Sequence, residues 1–153
     1  MATAQELKSL ANKRRLTVIS LMNAQEWDVA AYMMAHTLEY ALKAAICKTL
    51  KLNSYPPLTQ SGAEVREFKI HDFERLLILS GLRDVFSISG KFGLRPYQNW
   101  SDFTLEFPSE WVILRYDDAS HRKYNESKVK SLYNSLYSDP ESILKTIAGK
   151  RRW

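Results

Sequence analysis

Apolar residues recur every three, four or seven positions along most of this chain, which is the pattern of amphipathic helices packed by one face. Leu7, Leu10, Ala11, Val18, Leu21 and Met22 mark a first helix from about residue 3 to residue 23. Trp27, Ala30, Ala31, Met34, Leu38, Ala41, Leu42, Ala45 and Thr49 mark a second, with no Gly or Pro between Asn23 and Leu52. Such a helix of roughly 26 residues would be about 40 Å long at 1.5 Å per residue. Small residues alternate with large ones on its apolar stripe, so a neighbouring helix can approach closely. The pattern predicts a central strut.

Turn-forming residues divide the rest. Asn53 to Lys69 contains Tyr55-Pro56-Pro57 and Ser61-Gly62 and predicts a loop. Asp72 is placed to cap a short helix carrying Phe73, Leu76 and Leu77, which Gly81 ends. Ser87 to Ser109 mixes Gly and Pro with Phe92, Tyr97, Trp100, Phe103 and Phe107, and is expected as a long loop, either a packed lid or a functional insertion. Within it, Thr104-Leu105-Glu106-Phe107 alternates as a short strand would. Pro108 opens a helix from Ser109 to about Tyr116, and Asp117-Asp118-Ala119-Ser120 interrupts it. Val129, Leu132, Tyr133 and Leu136 mark the next helix. Asp139-Pro140 reads as a cap and first-turn proline for a last helix with Ile143, Leu144 and Ile147. The tail 150–153 is expected to fray. The sum is a single all-α domain over 1–153, an antiparallel up-and-down bundle of five to six helices with two long loops.

Composition narrows the function classes. With 22 Lys+Arg against 17 Asp+Glu, the net charge is 22 − 17 = +5, which permits a phosphate-bearing partner without demanding one. No apolar run approaches the ~18 residues that span a bilayer, so no membrane association is expected. The first eight residues lack the basic-then-apolar layout of a secretory leader, and the single Cys47 cannot form an internal disulfide. Both lead to the expectation of a reducing cytoplasm. His36, His71 and His121 are isolated in sequence, with no HxxxH or HExxH spacing, and the five glycines form no phosphate-cradling motif. Hence no metal and no cofactor is expected. Cys47, between apolar neighbours, reads as inert core.

Three stretches carry candidate chemistry. His36, Glu39 and Lys43 lie at i, i+3 and i+7 and share one face of the central helix. They form either a solvated salt-bridge stripe or a polar wall facing a cleft or a partner subunit. Lys91 to Trp100 interleaves Phe92, Tyr97 and Trp100 with Lys91 and Arg95. These either stack on bases as a single-strand platform or pin the loop to the bundle. The richest stretch runs from Trp111 to Tyr124. Arg115 and His121 would point about 120° apart on one unbroken helix, but the Asp-Asp-Ala-Ser break lets them converge near the next helix start. A guanidinium, an imidazole and a helix N-terminus suit a phosphate. Tyr116, Arg122, Lys123 and Tyr124 would join such a site; the alternative is a basic, solvated turn. His71, just before Asp72, reads as support for the start of its helix.

Along these same residues the sequence resembles the HEPN family of nucleotide-binding helical bundles. Ala35-His36-Thr37-Leu38-Glu39-Tyr40-Ala41-Leu42-Lys43-Ala44 is similar to the family's Ala-Glu-x-x-Leu-Lys-Ala central helix. Ile70-His71-Asp72-Phe73-Glu74-Arg75-Leu76 is similar to its Thr-His-Asp-Leu-x-x-Leu start of the third helix, and Leu114-Arg115-Tyr116 to its Arg-Tyr step before the fourth. All three occur in the family's order. The resemblance implies a bundle that dimerises and that binds nucleotide, nucleic acid or a nucleotidyltransferase-like partner protein, in a bacterial toxin–antitoxin or defence setting. It also implies an alternative, a metal-independent endoribonuclease using an Arg-x5-His pair, here Arg115 and His121, at a homodimer interface. Tyr116 stands where active members carry a small polar residue.

Overall fold

The computed structural model describes residues 1–88, 93–112 and 124–151. Helix α1 (Ala4–Asn23) starts at a reciprocal cap: the Thr3 hydroxyl accepts from the Glu6 N–H at 3.2 Å, and the Glu6 carboxylate accepts from the Thr3 N–H at 2.7 Å. This satisfies two N–H groups that a helix end leaves open. A three-residue turn with Gln25 in the left-handed region (φ 59°) returns the chain into α2 (Trp27–Leu50). So short a connection makes the two helices antiparallel neighbours.

Helix α2 is the predicted strut, and it is apolar around most of its circumference. Ala30, Ala31, Met34, Ala35, Leu38, Ala41, Leu42, Ala45 and Ile46 are fully buried, and Cys47 nearly so. A helix apolar all round belongs in the middle of a bundle. It packs against α1, α3, α5 and α6. Burial raises the Cys47 thiol pKa, in keeping with an inert core residue. Thr49, assigned to the stripe from its spacing, is exposed; its hydroxyl donates instead to the Ser80 carbonyl at 2.7 Å.

After α2 the chain runs without an α-helix to Asp72. It makes isolated bridges at Ala2–Tyr55 and Leu58–Glu64, a cis Tyr55–Pro56 bond and a 3-10 turn at Arg66–Phe68. Helix α3 (Phe73–Ser80) follows the sequence closely. The Asp72 carboxylate accepts from the Arg75 N–H at 2.8 Å, and Gly81 at φ 72° closes the helix where a side chain would be strained.

The stretch expected as a long aromatic loop contains a helix, α4 (Leu94–Thr104). Pro96 falls in its first turn, where a missing N–H costs nothing. Its apolar face buries Trp100 and Phe103, and Thr104–Phe107 is the helix end and a turn, not a strand. Helix α5 (Glu126–Tyr133) is capped by Asn125 and continues into a π-helical segment, Asn134–Ser138. The last helix, α6 (Ile143–Arg151), begins later than Asp139-Pro140 suggests. Asp139 is buried and turned to Arg95, whose Nε donates at 3.0 Å, and to the Glu141 N–H at 2.9 Å. The structure is thus an all-α bundle: among the described residues there are six α-helices and no strand. No described helix is long and apolar enough to cross a membrane.

Candidate functional site

The one nearly buried carboxylate on α2 organises the most concentrated polar chemistry in the described structure. Glu39 is 3% exposed. One turn on, Lys43 pairs with its Oε1, while the ammonium lies 5.1 Å from the centre of the Tyr55 ring. From another element, His71 brings Nδ1 to 3.0 Å from the same oxygen. From the preceding turn of α2, His36 faces the second oxygen, with Nδ1 and Oε2 3.6 Å apart. That is beyond hydrogen-bonding reach, and both atoms are buried without a hydrogen-bond partner.

Aromatic rings fix this group in place. His36 meets Tyr32 edge-on at 4.6 Å and Trp111 edge-on at 4.9 Å, and stacks on Tyr40 at 5.9 Å. Trp111 is fully buried, lies parallel to Phe73 at 5.5 Å, and donates its indole N–H to the His71 carbonyl at 2.7 Å. Electrostatics follow from burial. Desolvation pushes the His36 pKa below its ordinary 6.5; Glu39 opposes this, and His71, Lys43 and Arg14 add to it. A neutral His36 beside a carboxylate already shared by Lys43 and His71 is the arrangement at neutral pH.

The polar wall is therefore no solvated stripe: Glu39 and Lys43 are inside, with side-chain exposures of 4% and 13%. Sequence spacing brought out the face but not its depth, and it left out His71. The signal was present, because a carboxylate flanked by Ala35, Leu38 and Leu42 on an all-round apolar helix must be buried, and a buried carboxylate must find cations. His71, read as support for α3, reaches back to Glu39 instead, its side chain 44% exposed.

Arg115, Tyr116, His121, Arg122 and Lys123 lie outside the described residues. Of the phosphate-binding candidates, Tyr124 is described. The residue is 7% exposed, its ring is nearly parallel to Phe107 at 6.0 Å, and its hydroxyl donates to the Glu106 carbonyl at 3.1 Å. The Tyr124 N–H donates to Asp28 in the first turn of α2 at 3.1 Å. Trp111 and Tyr124, on either side of that stretch, thus both contact the N-terminal half of α2. In the aromatic-basic stretch, Arg95 is tied to Asp139, and Trp100 is buried against Phe86 at 5.2 Å with its N–H on Glu74 at 3.2 Å. These two side chains pin α4 to the bundle. Lys91 and Phe92 lie outside the described residues.

Grooves occur elsewhere too. One of about 300 Å³ lies between α4 and α5, lined by Asp102, Glu106, Asn125 and Lys128. Another, of about 340 Å³, is lined by Phe68, Ile70, Ile78 and Leu79. Neither has His36, Glu39, Lys43 or His71 in its lining. No group of His, Cys, Asp and Glu fit to hold a metal occurs among the described residues. Comparison with family models, curated proteins and solved structures found no match.

Proposed function

We propose that this chain is a HEPN-type module that binds nucleotide or RNA through phosphate groups. Its binding face would be the His36–Glu39–Lys43–His71 group together with Arg115, His121, Arg122 and Lys123. The observation that carries the reading is a buried Glu39 with three basic side chains gathered on it from two elements. Ion-paired clusters of this depth are costly to build unless geometry and hydrogen bonds repay the desolvation. A group of basic side chains fixed by aromatic rings offers preorganised N–H donors to an anion. The same reading includes a homodimer and a nucleotidyltransferase-like partner protein in a bacterial toxin–antitoxin or defence setting, as the sequence resemblance implies.

A second reading is the alternative that the sequence resemblance implies through the Arg115-x5-His121 spacing. In it the module is a metal-independent endoribonuclease. A base takes the proton from an RNA 2′-OH, which attacks the adjacent phosphorus as the 5′ oxygen leaves with a proton from the acid. Arg115 would stabilise the phosphorane charge and His121 would act as acid or base.

Both readings are tested by measuring binding of single-stranded RNA and of ATP by wild type, Arg115→Ala and His121→Ala, and RNA breakdown in EDTA. The module reading expects wild-type binding, weakened about tenfold or more in Arg115→Ala, as loss of a charge-assisted contact would give. RNA breakdown abolished by either substitution establishes the nuclease. No binding of either probe by folded wild type overturns the proposal.

A further inference from the structure

Two facing polar atoms in this bundle are unpaired, and they are complementary in only some protonation states. His36 Nδ1 and Glu39 Oε2 are both buried without a hydrogen-bond partner, 3.6 Å apart. A buried orphan on each side of one gap costs stability that a small closure would recover. If Nδ1 carries no proton, two lone pairs face one another and the gap stays open. Once His36 is doubly protonated, Nδ1 must be a donor and the carboxylate oxygen is its natural acceptor.

We propose that His36 and Glu39 form a proton-operated contact, open at neutral pH and closed in mild acid, whose state is transmitted to Trp111. The indole meets the His36 ring edge-on at 4.9 Å and is held to the His71 carbonyl at 2.7 Å. A His36 ring that swings toward Glu39 has to drag or release that edge. All groups facing His36 among the described residues enter the balance. On its own helix these are Glu39, which favours the proton, and Lys43, which opposes it. His71 before α3 and Arg14 on α1 oppose it as well, and Tyr32, Tyr40 and Trp111 supply ring faces and edges.

The consequence for the site is a gain of positive charge below neutrality. If the functional reading above is right, anion affinity rises as the contact closes. The rise in affinity rests on the functional reading, whereas the contact itself does not.

The test reads the rings rather than RNA, so the two proposals fail separately. Isotope-labelled wild type is titrated by NMR from about pH 8 to pH 5, following the His36 and His71 rings and the Trp111 indole N–H. The expected result is one transition shared by His36 and the Trp111 N–H, at a pH below 6.5. It persists in His71→Gln, disappears at Trp111 in His36→Gln, and moves to lower pH for His36 in Glu39→Gln. A Trp111 N–H that stays still while His36 titrates in wild type overturns the proposal, as does a Trp111 transition that survives His36→Gln. The wild-type comparison decides even where a variant fails to fold.

Discussion

The indole N–H of Trp111 donates to the backbone carbonyl of His71 at 2.7 Å, across 40 positions of sequence. Through this bond, His71, which reaches Glu39 from just before α3, is fastened to the aromatic core of Phe73, Phe107 and Trp111. The polar group and the core are thereby one packing unit.

Trp111 should therefore matter twice. Trp111→Ala is expected to cost about 3–5 kcal/mol, the usual penalty for emptying a large aromatic site. Trp111→Phe refills most of the volume but leaves the His71 carbonyl without its donor, at about 1–3 kcal/mol. Urea unfolding at pH 7 measures both. A Trp111→Phe variant as stable as wild type would show that the hydrogen bond contributes nothing.

Glu39 and Lys43 should be strongly coupled. Glu39→Gln leaves the Lys43 ammonium inside the bundle without its carboxylate, and Lys43→Met leaves buried Glu39 with His71 as its remaining partner, so each is expected to destabilise, by up to about 3 kcal/mol. The double variant should cost clearly less than the two together. A complete double-mutant cycle by urea unfolding checks this, and simple additivity would contradict it.

The bundle should lose stability as solutions become mildly acidic. His36 has a folded pKa below the ordinary 6.5, because burial disfavours its charged form. In the window below 6.5 the unfolded chain binds a proton that the folded chain resists. Stability from this source is full above 6.5 and falls as pH drops beneath it. His36→Gln should flatten that part of the profile, measured by unfolding midpoints from about pH 8 to pH 5.

Asp139 should govern a separate, more acidic limb. The Arg95 guanidinium holds its carboxyl at about 2 instead of 3.8. Its contribution is present above 3.8 and is lost as pH falls through about 2. Asp139→Asn should lower stability at pH 7 by about 1–3 kcal/mol, since Arg95 and the Glu141 N–H lose their charged acceptor. It should also shallow the acid limb below pH 3.8 while leaving the His36 window unchanged.

Helices with a local signature were legible in the sequence. The apolar period of α1 and α2, the Asp72 cap and the Gly81 stop are properties of neighbouring residues, and the structure repeats them. What failed depended on distant partners. The stretch around Trp100 looked irregular because Gly93 and Pro96 read as breakers, yet Gly93 precedes the helix and Pro96 occupies its first turn. Asp139 looked like a helix cap because Pro140 follows it, but Arg95, 44 residues away, claims its side chain. The face of His36, Glu39 and Lys43 was visible from spacing, whereas the arrival of His71 required the tertiary fold.

The most direct test of the account is the salt dependence of RNA binding by the wild-type chain. A face that engages phosphates through its cations should give affinity falling steeply with salt, with a log–log slope near −2 for about three phosphate contacts on a single strand. Affinity that is undetectable at low salt, or that stays flat as salt is raised, would contradict it.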